Sequence, residues 1–143
     1  PTWGRCTVHP DHHIRFDSAL YSVSTEYVGK EVDVRADGAM VRAALAAGAK
    51  GIVVQALGWG NMNVPMYEAV VEAIGKGVPV VIATRVPTGR VLPVYGFKGG
   101  GKTTKDAGAI FADDLPAQKA RLLLMLALQT TSKPAEIQKL FDR

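Results

Sequence analysis

Cysteine is almost missing from this chain, which contains a single Cys6 in 143 residues. One thiol cannot form an internal disulfide, so a packed core has to hold the fold together. A lone cysteine fits a reducing compartment, although many secreted bacterial proteins also lack disulfides. Localisation therefore stays open between cytoplasm and periplasm, with the cytoplasm slightly favoured.

Long apolar runs are missing as well, because none approaches the roughly 18 residues that a membrane-spanning helix needs. Blocks of like charge are also missing. The 17 Lys and Arg exceed the 13 Asp and Glu only slightly, and many stand beside an acid, as in Lys30-Glu31 and Lys105-Asp106. A nucleic-acid surface requires clustered basic residues. We therefore expect neither a membrane nor a nucleic acid as a partner.

Histidine is scarce, and all three histidines lie close to the cysteine. His9, His12 and His13 share one segment with Cys6 and Asp11, and the Cys-x-x-His spacing resembles half of a zinc site. No Cys or His elsewhere in the chain supplies the second half, and a Pro-Asp pair in the segment is typical of a turn. The segment predicts a solvated turn without a metal ion, and we expect no cofactor elsewhere.

A nucleophile with its general base is not visible either. A Ser-His-Asp or Cys-His arrangement brings the base to the nucleophile, and every histidine here lies in the N-terminal segment. Hydroxyl groups are available at Thr84, Thr88, Thr103 and Thr104, but the sequence pairs no Lys or Asp with them. We predict no catalytic residue in this chain.

Strands that alternate with helices are what the sequence does contain. Residues 1–30 carry short alternating stretches that predict a hairpin and a linker. Beyond them, four short segments predict strands, at Val32–Arg35, Ile52–Ala56, Val78–Ala83 and Ala109–Phe111. Alternation with helices predicts right-handed crossovers and a mostly parallel sheet of about four strands. The fold class is α/β, a small three-layer α/β/α sandwich preceded by a β-hairpin or linker.

Helix boundaries follow from capping residues and from apolar residues at helical spacing. Asp37, Asp114 and Ser132 are suitable N-caps for three of the helices, and Gly48 is a suitable C-cap for the first. The remaining helix is predicted over Val64–Lys76, directly after a glycine-rich turn.

The glycine-rich turn is the most informative feature of the sequence. The apolar strand ends in Gly58-Trp59-Gly60-Asn61, and the helix follows at once. Ligands collect at the carboxyl ends of strands in open α/β sheets, so the polar Asn61 is the best candidate for contact with a small molecule. Trp59 and Met62 either line a pocket or pack against neighbours. Asn61 itself is an equally suitable turn former, because Asn tolerates left-handed backbone.

A second motif, Gly96-Phe97-Lys98-Gly99-Gly100-Gly101-Lys102-Thr103, is a literal match to the P-loop pattern. A P-loop follows a buried strand and opens a long helix, but Pro93 interrupts the preceding run and residues 104–108 start a helix poorly. We favour a surface loop, with nucleotide binding kept as an alternative.

Four segments in register resemble the C-terminal domain of bacterial-type L-asparaginases, in the asparaginase/glutaminase family. They are Ala46–Val54, Gly58–Asn61, Arg85–Gly89 and Gln118–Leu128. The resemblance implies a division into residues 1–30, as the tail of a missing N-terminal domain and the interdomain connection, and residues 31–143, as the C-terminal domain.

The resemblance also implies an amidohydrolase that converts L-asparagine and water to L-aspartate and ammonia without metal or cofactor. In that family the Thr nucleophile lies in the N-terminal domain, so the isolated chain is expected to be inactive. The implied partners are that N-terminal domain, a small-molecule amide substrate and further copies of the chain, as an intimate dimer or a dimer of dimers. The substrate-positioning Asn of the Gly-x-Gly-Asn turn falls on Asn61, next to Gly60, and Asn63 is its nearest competitor.

One departure from the family pattern concerns substrate preference. Better-known members place a Glu after the Arg-Val-Pro-Thr-Gly motif, where it binds the substrate's amino group, but Arg90–Gly96 contains no acid. The choice between Asn and Gln as substrate therefore stays open, and Arg85 and Gly89 are assigned to loop structure. The alternative to the amidohydrolase domain is a free-standing, non-catalytic module that binds a small ligand or a protein partner.

Overall fold

The computed structural model describes residues 2–11, 13–16, 19–22, 25–36 and 38–142. Seven strands and five α-helices cover most of these ranges, with one short 3-10 helix at Thr25–Tyr27. The strands are β1 Thr2–Thr7, β2 His13–Phe16, β3 Ala19–Ser22, β4 Glu31–Ala36, β5 Ile52–Ala56, β6 Val80–Thr84 and β7 Ile110–Phe111. The helices are α1 Ala39–Ala46, α2 Val64–Gly75, α3 Gly101–Asp106, α4 Ala117–Ala127 and α5 Pro134–Phe141.

A parallel three-stranded sheet, in the order β5-β6-β7, forms the centre of the α/β part. The middle strand β6 is buried along its whole length, which explains why the four residues before Thr84 are all apolar. Val80 and Ile82 pack with α1 and α2 into one core, while Val81 and Ala83 pack with α4 and α5 into another. The alternation of β6 side chains between two helical layers makes a three-layer α/β/α sandwich, and the predicted fold class is confirmed.

The strand predicted at Val32–Arg35 forms, but it lies outside the parallel sheet. It is part of β4, which pairs antiparallel with β1 so that Cys6 stands opposite Val32. The parallel sheet therefore has three strands where about four were expected. An alternating pattern predicts that a segment is a strand but does not predict which strand it pairs with. Here the partner is β1, near the start of the chain. In the same region β2 and β3 form an antiparallel hairpin.

Two of the predicted helix caps are wrong, and a third lies outside the described residues. α4 begins at Ala117 after Pro116, three residues beyond Asp114, and α5 begins at Pro134 with Lys133 at its N-cap in place of Ser132. A proline defines the start of both helices. Pro116 precedes α4 with extended backbone, and Pro134 is the first residue of α5, where the fixed φ of proline suits a helix. Asp37 is not among the described residues, and Gly38 directly precedes α1. None of the helices described is long and apolar enough to cross a membrane.

Candidate functional site

The turn after β5 closes on itself through backbone hydrogen bonds. Leu57 donates to the Asn61 carbonyl at 2.9 Å, and Asn61 donates back to the Leu57 carbonyl at 2.8 Å. Gly60 has a φ of +107° inside this turn, and a β-carbon there would lie 2.7 Å from Val91 Cγ1. Glycine is therefore required at this position by both conformation and space.

Thr84, at the end of β6, fastens the turn to the sheet. Its hydroxyl donates to the Gly58 carbonyl at 2.6 Å and accepts from the Val86 amide at 3.1 Å. The residue is 5% exposed, whereas its partners Gly58 and Val86 lie at the surface, so both bonds are partly buried. In sequence no Lys or Asp is paired with Thr84, and these backbone partners are visible only in the structure. One signal in the sequence could have indicated this role of Thr84. It is the last residue of a buried strand, and that strand lies beside the one that leads into the turn.

Asn61 is half-buried, and among the described residues only one side of its amide has a hydrogen-bond partner. Its Oδ1 accepts from the Gly101 amide at 3.3 Å, whereas Nδ2 donates to no described residue. This bond ties Oδ1 to the backbone of the glycine-rich loop, and the two N–H groups of Nδ2 have no acceptor among the described residues. Asn61 therefore combines a contact to the neighbouring loop with a polar group that the described residues do not use.

The glycine-rich loop at 96–101 packs against the turn and does not form a phosphate cradle. The Gly100 and Lys102 amides donate to carbonyls of the same loop, at Phe97 and Tyr95, with N···O distances of 2.8 and 3.0 Å. The Gly101 amide is held by Asn61. In a P-loop these amides would point at phosphate oxygens. The helix that follows has only six residues, so the P-loop match is explained by packing.

The other candidates have structural roles. Asn63 is the N-cap of α2, with Oδ1 accepting from the Met66 amide at 2.9 Å. Met62 is buried in the core on the α1 and α2 side of the sheet, so it packs against neighbouring core residues. Trp59 stacks on Tyr95 with ring centroids 5.8 Å apart and stays 43% exposed.

The threonines of the loop and of α3 donate to backbone carbonyls. Thr103 Oγ1 lies 2.8 Å from the Phe97 carbonyl, and the buried Thr104 Oγ1 lies 2.8 Å from the Gly100 carbonyl. These contacts close the loop against the first turn of α3, and neither hydroxyl faces a base among the described residues. Thr88 is exposed.

Charged side chains support the loops around the turn from outside. Lys98 bonds to Glu68 of α2 at 2.6 Å, and this bond lowers the pKa of the Glu68 carboxyl. Arg90 binds both carboxylate oxygens of Asp113 at 2.7 Å. Residues 90–96 contain no acid of their own, but Asp113 lies beside them. The charge of Asp113 is already paired with Arg90. Farther away, burial lowers the pKa of Lys105.

The histidine segment does not assemble a metal site in the part of the chain that is described. His9 Nδ1 lies 3.3 Å from Asp11 Oδ1, and both side chains are exposed. No group of three metal-ligating side chains occurs among the described residues. His12 and the side chain of His13 lie outside them.

The fold and the site together define a class of protein. It is an α/β domain that carries an Asn in a glycine-rich turn at the carboxyl end of a strand. The family model for the Glutaminase/Asparaginase C-terminal domain matches residues 33–141. The chain belongs to this family. A second model, for the C-terminal domain of Mu transposase, matches residues 1–54 and overlaps the first at 33–54.

Known proteins of similar sequence support the assignment. A probable L-asparaginase of Deinococcus radiodurans is 46% identical over 95 residues, which are 66% of this chain and 29% of that protein. L-asparaginase 2 of Bacillus subtilis is 41% identical over 100 residues, 70% of this chain and 25% of the enzyme. L-asparaginase 2 of Escherichia coli is 35% identical over 109 residues, 71% of this chain and 28% of the enzyme.

A solved structure gives the same result in three dimensions. The probable cytoplasmic L-asparaginase of Campylobacter jejuni superposes with a TM-score of 0.63 at 38% identity, covering 73% of this chain and 30% of that one. The chain thus spans less than a third of the length of the relatives that it matches.

Proposed function

We propose that the α/β part of this chain acts as the C-terminal domain of an asparaginase-like amidohydrolase and supplies Asn61 to an active site completed elsewhere. Membership of the family supports the amidohydrolase class. The observation that carries the role of Asn61 is its geometry, with Oδ1 fixed by the Gly101 amide and Nδ2 left available at the end of a strand. The substrate is a small amide such as L-asparagine, and the protein works as a homo-oligomer in which this domain makes dimer contacts.

Asn63 is the weaker candidate for the positioning role because its Oδ1 already caps α2. The domain alone is expected to be inactive. More than two thirds of each relative lies beyond the region that this chain matches, and we assign the nucleophile to that region. The assignment of residues 1–30 to the tail of an N-terminal domain stays a prediction. The similarity of residues 1–54 to a Mu transposase domain offers a different origin for them.

The first experiment measures ammonia release from L-asparagine and from L-glutamine by the purified 143-residue chain. We expect no turnover with either amide. Turnover by the chain alone would contradict the assignment of the nucleophile to another region.

The second experiment uses a hybrid enzyme in which residues 38–142 replace the corresponding domain of the Deinococcus radiodurans relative. We expect the hybrid to release ammonia. Asn61→Ala should lower its kcat/KM roughly 100-fold, because a misplaced substrate reacts slowly even when the nucleophile is intact. Asn63→Asp is the matched control, since Asp also caps helices and should leave kcat/KM unchanged.

Two outcomes of the hybrid experiment count against the proposal. A folded, oligomeric hybrid without activity would show that this domain does not complete the site. An Asn61→Ala hybrid as active as its parent would remove the role of Asn61 while leaving the family assignment intact.

A further inference from the structure

An open cavity of about 590 Å³ lies at the amino ends of β5 and β6. Its walls include Ala49 and Lys50, which lead into β5, and Val78 and Pro79, which lead into β6. Asn61 follows the carboxyl end of β5, so the cavity lies at the opposite end of the sheet from the glycine-rich turn. None of the residues of that turn lines it.

Basic side chains dominate the charge around the cavity. Arg42, Lys50 and Lys76 stand on its walls. The Glu72 carboxylate pairs with two of them, accepting from Arg42 Nε at 2.8 Å and from Lys76 Nζ at 2.7 Å. Lys50 is exposed and pairs with no acid among the described residues. Positive charge therefore exceeds negative charge here, and the cavity favours an anionic group.

Two helices end at this cavity with the same kind of turn. Gly48 follows α1 with a φ of +78°, and Gly77 follows the C-cap of α2 with a φ of +77°. The Ala49 amide bonds back to the Ala44 carbonyl at 3.0 Å, and an equivalent bond closes the end of α2. Nothing lies within 4 Å of a β-carbon built at either glycine. The two turns therefore form matching walls with open space beside them.

The turns leave the final carbonyl groups of both helices as acceptors. These groups have no partner within a helix and carry the negative end of its dipole. No backbone amide of a described residue donates to the carbonyl of Ala46, the last residue of α1, or to that of Gly75, the last residue of α2. The cavity thus offers acceptors for N–H groups beside its basic side chains.

This combination distinguishes between classes of anion. A phosphate ion carries only acceptor oxygens when it is fully ionised, so the carbonyl ends of the helices repel it even where the basic side chains attract it. A ligand with carboxylates and an ammonium group matches both kinds of wall. Leu45, Pro79 and Leu128 add an apolar surface for a short carbon chain.

We propose that the cavity binds a small acidic amino acid such as L-aspartate. Lys50 binds one carboxylate, and the pair of Arg42 and Lys76 binds the other. The ammonium group donates to the carbonyl ends of α1 and α2. Binding here depends on the 143-residue chain alone and does not require the amidohydrolase reaction.

The first test titrates the isotope-labelled chain with L-aspartate and follows its amide signals by NMR. We expect saturable shifts at Gly48 and Gly77. Succinate, which lacks the ammonium group, and inorganic phosphate should each bind at least about fivefold more weakly, because neither donates to the helix ends.

Three outcomes of the titration would overturn the proposal. One is the absence of saturable shifts at Gly48 and Gly77. Another is shifts confined to the Gly101 amide beside Asn61, which would place binding at the other end of the sheet. The third is equal affinity for L-aspartate and phosphate, which would make the cavity a site for simple anions.

The second test removes the unpaired positive charge. Lys50→Gln should weaken L-aspartate binding at least about fivefold, because one charge-assisted contact is lost. Lys119→Gln, at an exposed position of α4 that does not line the cavity, makes the same change of charge and should leave the affinity unchanged. Because Lys50 is exposed, the amide spectrum away from the cavity should report an intact fold. Equal affinities of the Lys50→Gln variant and the parent would overturn the proposal.

Discussion

The side-chain amide of Gln138 pairs with both backbone groups of Phe111. Oε1 accepts from the Phe111 amide at 2.8 Å, and Nε2 donates to the Phe111 carbonyl at 3.1 Å. Because β7 is the outer strand at its end of the sheet, Gln138 stands where a further strand would pair. One edge of the sheet is thus closed by a side chain of α5, whereas no strand among the described residues pairs with the outer edge of β5.

We expect Gln138→Ala to destabilise the domain by roughly 2 kcal/mol, because it leaves both backbone groups of Phe111 without partners at a partly buried edge. It also removes the acceptor of the Lys105 ammonium, 2.6 Å from Oε1. Urea unfolding measures the change. Lys139→Ala, at the next and exposed position of α5, is the matched control and should stay within about 0.5 kcal/mol of the parent. Equal stability of the two variants would contradict this account of the edge.

The glycine-rich loop offers a second comparison between neighbouring positions. Gly99 has a φ of +91°, and a β-carbon there would lie 2.4 Å from the Met62 carbonyl oxygen. Gly96 has open space around its α-carbon. Gly99→Ala should therefore cost roughly 2 kcal/mol or more through strain and displaced backbone, whereas Gly96→Ala should be nearly neutral. Thermal unfolding of the two variants decides the matter, and a neutral Gly99→Ala would mean that the loop is not packed on the turn.

The same contacts predict that the P-loop match has no nucleotide function. Lys102 bonds to Asp106 at 2.6 Å, and the amides of Gly100, Gly101 and Lys102 already have acceptors within the protein. Calorimetric titration with Mg·ATP should detect no binding, for the parent and for Lys102→Ala alike. Saturable binding that Lys102→Ala abolishes would show that the loop opens to hold phosphate groups.

Much of the α/β fold was predictable from sequence because its signals are local. The five residues of β6 are all apolar or Thr and are all buried, and α2 follows the turn within two residues of its expected bounds. β4 shows the limit of this reasoning. Its strand pattern was clear, but the structure pairs it with β1 and not with the parallel sheet, and no pattern within six residues specifies the partner strand.

The candidate site also has a part that could be predicted from the sequence and a part that could not. Gly58, Gly60 and Asn61 stand together in sequence, so the turn could be recognised from its residue types. The group that orients Asn61 lies 40 residues away, at Gly101, and Thr84 acts from a neighbouring strand. Contacts between loops that meet only after the sheet has formed leave no spacing rule in the sequence.

The bond from Thr84 to Gly58 gives a prediction that separates the hydroxyl group from the shape of the side chain. Thr84→Val keeps the shape but leaves the Gly58 carbonyl and the Val86 amide without their partner, so we expect a loss of about 2 kcal/mol in urea unfolding. Thr84→Ser keeps the hydroxyl group and loses only a methyl group, which should cost less. Since Thr84 fastens the turn, Thr84→Val should also speed hydrogen exchange at the Asn61 amide, whose bond to the Leu57 carbonyl closes that turn. If the Val and Ser variants were equally stable and exchanged alike at Asn61, Thr84 would be a packing residue only.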